Sequence, residues 1–151
     1  MNKLLAVLAF GLAAFGFIQS SVAAEKGTKE EAVALVQKAV AYIKANGKEK
    51  AYAEFTNGTQ FKDRDLYIFV IKFDGMAVAH GANPKLVDKN MSELKDGDGK
   101  LFVKEFIDVA KAKGKGWVDY KWPNPVTKVI EPKSSYVERV DDTVVACGIY
   151  K

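Results

Sequence analysis

The chain has 151 residues, 48% of them hydrophobic and 28% charged, and 23 Lys and Arg against 19 Asp and Glu give a net charge of +4. That length fits one domain with a real core, and the charges are scattered rather than gathered into an arm or stripe, which excludes an electrostatic nucleic-acid binder. With Cys147 as the sole cysteine, no intrachain disulfide can form, so apolar burial must hold the fold.

Lys3 precedes an apolar core from Leu4 to Ile18, then come polar Gln19, Ser20 and Ser21 and the short side chains Val22, Ala23 and Ala24. This is the pattern of a secretory signal, with cleavage predicted after Ala24. A retained membrane anchor is the competing reading, but a spanning helix needs about 20 apolar residues and this core is shorter. The expected division is a signal peptide at 1–24 and one exported domain at 25–151, periplasmic or secreted and not membrane-embedded after cleavage. Loss of Lys3 leaves 22 basic against 19 acidic side chains, a net charge of +3.

Thr28 and Glu31 form a capping-box pattern, and Ala32, Leu35, Val36, Ala39, Val40 and Ile43 then recur at helical spacing up to Asn46 and Gly47. A shorter helix is predicted from Lys48 to about Thr56. The run Leu66 to Phe73, then Asp74-Gly75, then Met76 to His80 reads as a hairpin. A two-residue turn at Asp74-Gly75 would set Phe73 opposite Met76, Ile71 opposite Val78 and Phe69 opposite His80. Both faces of this hairpin are apolar, as expected of strands covered on both sides.

A long loop follows through Asn83-Pro84 and Lys89-Asn90 to Asp96-Gly97-Asp98-Gly99, and loops of that length are commonly binding loops or lids. Asp96 and Asp98 suggest a calcium loop, but the glycine comes too early and later ligands are missing, so capping of the next helix is the favoured reading. That helix is expected from about Lys100 to Ala112, with Phe102, Phe106 and Val109 on one side. Three more strands are expected, from Trp117 to Trp122, about Thr127 to Val140, and Thr143 to Tyr150. Helices followed by an antiparallel meander, with one helix between the second and third strands, make an α+β plan with about five strands. Cys147, within an apolar run, reads as a small buried residue rather than a reactive thiol, with an intermolecular disulfide as the alternative.

The ordered set Tyr67-Ile68-Phe69-Val70, Asp74-Gly75, His80, Asn83-Pro84, Lys89-Asn90, Asp96 to Lys100, Gly116 to Tyr120, Trp122 to Pro125, Lys133 to Val137 and Gly148 to Tyr150 resembles a single Cache domain of the type 2 group. This is the PAS-like extracytoplasmic sensor module of bacterial chemoreceptors and sensor kinases. The resemblance spans most of the chain after residue 24; its most specific part is the Trp-x-x-Tyr-x-Trp-Pro element followed by Lys-x-x-Tyr. It implies a PAS-like antiparallel sheet with a long N-terminal helix on one face and a small-ligand pocket on the other. It also implies a ligand among small organic acids and related metabolites. Such domains usually precede a membrane helix and a cytoplasmic signalling region, whereas this sequence ends at Lys151. A free binding module that presents its ligand to a separate membrane-bound sensor or receptor is the expected role in signal transduction.

Pocket candidates are Tyr67, Phe69, His80, Tyr120, Trp122, Lys133 and Tyr136. Lys133 and His80 can supply positive charge or donors to a carboxylate, while the aromatics supply apolar walls with polar tips. Alternation places Tyr120 and Trp122 on one face. Lys133 and Tyr136, three apart, cannot both face inward on a regular strand, which leaves open which of them lines the pocket. Each also has a structural reading: His80 as a hydrogen-bonded strand-end residue, the aromatics as core, Lys133 as a solvated side chain. An enzyme would need a nucleophile with a base; Ser134, Ser135 and Cys147 lack such a setting in the sequence. No phosphate loop, haem attachment sequence or zinc spacing is present, so neither cofactor nor metal is implied. A third class is an accessory protein that docks a partner through the aromatic loop Trp122 to Pro125.

Overall fold

Helix α1 (Lys29–Asn46) begins at a reciprocal cap: the Thr28 hydroxyl accepts the Glu31 N–H at 3.2 Å and the Glu31 carboxylate accepts the Thr28 N–H at 2.8 Å. The computed structural model describes residues 25–151, so the export signal assigned to 1–24 lies outside the described residues. Ala32, Val36, Ala39, Val40 and Ile43 are the buried stripe of α1. At Gly47 the backbone takes φ 83°, a conformation that favours glycine, and turns the chain into α2 (Lys48–Asn57).

The run expected as one strand from Leu66 is broken at Ile68. Strand β1 (Lys62–Asp63) pairs with β2 (Leu66–Tyr67) as a small separate ribbon, and β3 (Phe69–Lys72) joins the main sheet. Strand β4 (Ala77–His80) completes the hairpin with Phe69 opposite His80, as alternation requires. Its turn differs from the two-residue expectation. Gly75 N–H bonds to Lys72 O and Lys72 N–H to Met76 O, so three residues form the loop, with Gly75 at φ 90°. The added residue shifts the register between Val70 and Ile71, and Ile71 pairs with Ala77 instead of Val78.

A 3-10 turn (Pro84–Leu86) lies in the long loop before α3 (Phe102–Lys113). Asp96 does not cap α3: Leu101 holds that position without a side-chain bond. Asp96 Oδ1 instead accepts the N–H groups of Asp98 and Lys100, and Oδ2 accepts that of Lys121, which fastens the loop to the following strand. Strands β5 (Lys115–Pro123), β6 (Ile130–Val140) and β7 (Thr143–Tyr150) form the meander. Strand β6 starts later than expected because Asn124 closes a turn over 124–129, accepting the Val126 N–H on its side chain and bonding Val129 O through its backbone N–H.

The five-stranded antiparallel sheet has the order β4-β3-β7-β6-β5, so the hairpin and the meander are joined through the last strand rather than in simple succession. Strand β7 is central because it is apolar on both sides: Val144 and Ala146 face one layer, Val145 and Cys147 the other, all fully buried. Helices α1 and α2 pack with Val70, Tyr136, Val145 and Cys147 on one face. Helix α3 covers the other, where Phe102 and Phe106 meet Phe69, Tyr120 and Ala146. The Cys147 thiol is pushed up to about 12 by burial, in keeping with an inert core residue out of reach of an intermolecular disulfide. Replacing Thr28 by Ala is expected to cost about 1 kcal/mol through loss of the cap, measured as a lower midpoint in thermal or urea unfolding.

Candidate functional site

Strand register gathers the candidate site around one side chain. On β6, Lys133 lies opposite Tyr120 of β5 on one side and Tyr150 of β7 on the other, and cross-strand partners share a face. Tyr67 and Phe69, two apart at the start of the hairpin, point to the same layer, and His80 is paired with Phe69. Trp122, two residues beyond Tyr120, extends the wall, and α3 closes it with Phe102 stacked on Tyr120 at 4.6 Å and 10°.

Lys133 is 1% exposed, yet no carboxylate among the described residues forms an ion pair with it. Its ammonium donates to the Tyr67 hydroxyl at 2.7 Å and lies over the rings of Tyr67 at 4.3 Å and Tyr150 at 4.8 Å, with Phe69 at 5.4 Å and Tyr120 at 5.8 Å. The hydroxyls form a chain. Tyr150 donates to Pro123 O at 2.8 Å, so Tyr67, 3.2 Å away, donates to Tyr150 and offers its own oxygen to Lys133. Tyr120 and Ser135 hydroxyls meet at 2.9 Å. Burial pulls the Lys133 ammonium down to about 7, and Cys147 first and the charge of Asp65 second only partly oppose this.

His80 is held neutral, pushed down to about 3 by burial first and by the Lys133 charge second. Its Nδ1 accepts the Asn83 N–H at 3.0 Å, which fixes the proton on Nε2. The ring stacks on Phe69 at 5.9 Å and borders Tyr67 and Trp122. His80 therefore combines the two readings of the sequence: a hydrogen-bonded strand-end residue that also lines the pocket.

The cavity bounded by Tyr67, Phe69, His80, Phe102, Tyr120 and Trp122 has a volume of about 10 Å³, room for one water. His80 and Trp122 also line a wider outer cleft of about 220 Å³ with Asn83, Asn124, Pro125 and Lys128. These two rings thus stand between the inner cavity and solvent. A groove of about 450 Å³ beside α1 is larger, but it is open and has Lys29 and Glu30 at its surface rather than a buried polar group.

Six of the seven expected pocket residues are brought together: Tyr67, Phe69, His80, Tyr120, Trp122 and Lys133. Tyr136 is not. Strand β6 is regular from Lys133 to Val137, so residues three apart face opposite ways. Tyr136 packs against Trp117 in the α1 layer, and its hydroxyl donates to Glu138. Tyr150, Phe102, Phe106 and Met91 belong to the site without having been expected there. The register places Tyr150 beside Lys133, and the Phe102–Phe106 spacing puts both rings on one helix face, but the strand pairing and the side of the sheet that α3 covers are needed to use either signal.

The chain matches the model of the single Cache domain 2 family over residues 2–151. It is 30% identical over 90 residues to the methyl-accepting chemotaxis protein McpP of Pseudomonas putida, a match covering 58% of this chain and 16% of that protein. It is 37% identical over 89 residues to the sensor histidine kinase MctS of Rhizobium johnstonii, covering 58% of this chain and 19% of that protein. The chain thus matches less than a fifth of either relative. Among solved structures, a methyl-accepting chemotaxis protein from Vibrio parahaemolyticus superposes with a TM-score of 0.73 at 26% identity, over 81% of this chain and 87% of the other. A Cache chemosensory domain described for its carboxylic acid recognition superposes with a TM-score of 0.68 at 25% identity, over 80% and 91%. With the α+β PAS-like sheet and these matches in hand, the chain belongs to the single Cache domain 2 family of sensory domains.

Proposed function

We propose that this chain is an extracytoplasmic ligand-binding module that takes a small organic acid with the carboxylate on Lys133 and releases it unchanged. The observation that carries this reading is the buried Lys133 ammonium, which has one hydroxyl partner and no carboxylate counter-ion among the described residues. A ligand carboxylate supplies the missing charge and accepts the remaining N–H donors, and Nε2–H of His80 is a second donor at the same wall. Seven aromatic and imidazole rings line the adjoining cavity and exclude water, which strengthens the pair. The carboxylic acid-recognising Cache domain among the structural neighbours supports the ligand class. The chemoreceptor and sensor-kinase relatives support a role in signalling.

Binding without turnover is supported by the chemistry of the groups nearest Lys133. The Ser135 hydroxyl is engaged with Tyr120, Ser134 and Cys147 point to the opposite layer, and His80 uses one ring nitrogen to hold Asn83. The export pattern at 1–24 supports a periplasmic or secreted location, and no helix among the described residues is long and apolar enough to cross a membrane. One observation favours a second reading, docking of a protein at the loop after Trp122: Val126, Val129 and Ile130 there are 45%, 55% and 66% exposed.

A thermal-shift screen of the purified domain against mono- and dicarboxylates, amino acids and amines is expected to give a saturable hit in the carboxylates, with one-to-one stoichiometry by calorimetry. No shift with any class would favour the protein-docking reading. Lys133→Ala is expected to weaken that hit by about 1.5–3 kcal/mol, and unchanged affinity in a folded variant would remove Lys133 from the site. The pH dependence has a definite sign. A ligand anion favours the ammonium, so affinity should be flat below pH of about 7 and fall as pH rises above it, with proton uptake on binding at pH 8 seen as buffer-dependent calorimetric heats. A flat profile from pH 6 to 9 would contradict this.

A further inference from the structure

The carboxyl group of Asp65 lies in the turn between β1 and β2 and is only 2% exposed. Its Oδ1 accepts the Gly27 N–H at 2.8 Å, whereas Oδ2 is buried with no hydrogen-bond partner among the described residues. The Lys133 ammonium is close enough for its charge to be felt by Asp65 but donates to Tyr67 and forms no ion pair with it, and the basic side chains nearby along the chain are committed elsewhere. Lys26 Nζ bonds Lys151 O at 3.0 Å and Glu131 at 3.5 Å, and Arg64 holds Glu31, Asp63 and Lys26 O. A buried carboxylate left in this way is costly unless a cation reaches it.

Two features point to where that cation could come from. Asp65 lines a cavity of about 20 Å³, room for one water or one ammonium head, walled also by Glu25, Lys26, Asn124, Val126 and Thr127. The second is chain geometry. Gly27 N is pinned to Oδ1, and the backbone nitrogen of Glu25 is two residues earlier, within about 7 Å of it along the chain. The signal pattern Val22-Ala23-Ala24 ends at that same nitrogen. Hydrolysis of the Ala24–Glu25 bond by a signal peptidase, with water giving its oxygen to the Ala24 carbonyl carbon, which leaves as a carboxylate, and, in the net step, both its protons to the Glu25 nitrogen, turns a neutral amide into an α-ammonium. We propose that the mature chain begins at Glu25 and that its α-ammonium enters this cavity as the counter-ion of Asp65, so that export processing completes the N-terminal corner of the fold.

The exported protein should have the intact mass of residues 25–151. An N-terminally acetylated form of that chain, which lacks the charge, should melt about 4 °C below the free form. In Asp65→Asn, which keeps an acceptor for Gly27, free and acetylated forms should melt together. If that variant does not fold, a chain that retains Ala24 as its first residue replaces it, and this chain should melt with the acetylated form. A different first residue in the exported protein, equal melting of free and acetylated chains, or a difference that persists in Asp65→Asn would overturn the proposal. So would an Ala24-first chain as stable as the Glu25-first chain.

Discussion

A lysine ammonium buried without a carboxylate is the constraint around which this domain is arranged. Withdrawing an ammonium from water costs several kcal/mol even after relaxation. One charge-assisted hydrogen bond returns about 1.5–3 kcal/mol and a desolvated cation–π contact about 2 kcal/mol. The Tyr67 hydroxyl and the rings around Lys133 therefore offset the cost only in part, which is why the ammonium is held down to about 7 rather than near 10.5. A site in deficit by one negative charge is suited to an anion, as the proposed function requires, and the same arithmetic fixes the sign with which Lys133 contributes to stability. Between pH of about 7 and the ordinary lysine range the unfolded chain holds the Lys133 proton and the folded chain does not. This group's penalty on the fold is thus full below pH 7 and relieved as pH rises through that window.

The sheet order makes the arrangement available. Because β7 lies between β3 and β6, Tyr150 stands beside Lys133 and the hairpin brings Tyr67 and Phe69 to the same layer. A plain meander would put the hairpin next to β5 and leave Lys133 without Tyr150 and Tyr67 together. The hydroxyl chain from Lys133 through Tyr67 and Tyr150 ends on Pro123 O, which ties the ammonium to the start of the 124–129 turn bordering the outer cleft. A ligand that takes the Lys133 donors thus acts on a hydrogen-bonded path that already reaches the cleft rim and the end of the last strand.

Local signals carried much of this into the sequence. The Thr28–Glu31 cap, the α1 stripe, both ends of β7 and the Phe69–His80 pairing are each set by interactions within a few residues or across one turn, and each is found where periodicity puts it. What was not legible depends on partners distant in the chain. Asp96 looks like a cap until the Lys121 N–H claims it. Ile71 looks opposite Val78 until a three-residue turn shifts it. The ambiguity between Lys133 and Tyr136 was visible as a parity problem, and only the regularity of β6 against β7 resolves it in favour of Lys133. Asp65 gave no signal in the sequence, since an acidic residue in a turn is ordinarily solvated; burial alone makes it notable.

The central claim is that Lys133 is a buried ammonium poised near neutrality in the ligand-free domain. The most direct measurement is an NMR titration of the Lys133 side chain, following its Cε and Nζ resonances from pH 5 to 11, with Lys133→Met used to assign them. The account predicts a midpoint near pH 7, several units below the other lysines. A Lys133 that titrates with the surface lysines near pH 10.4 would contradict it, because the group would then be either solvated or already paired.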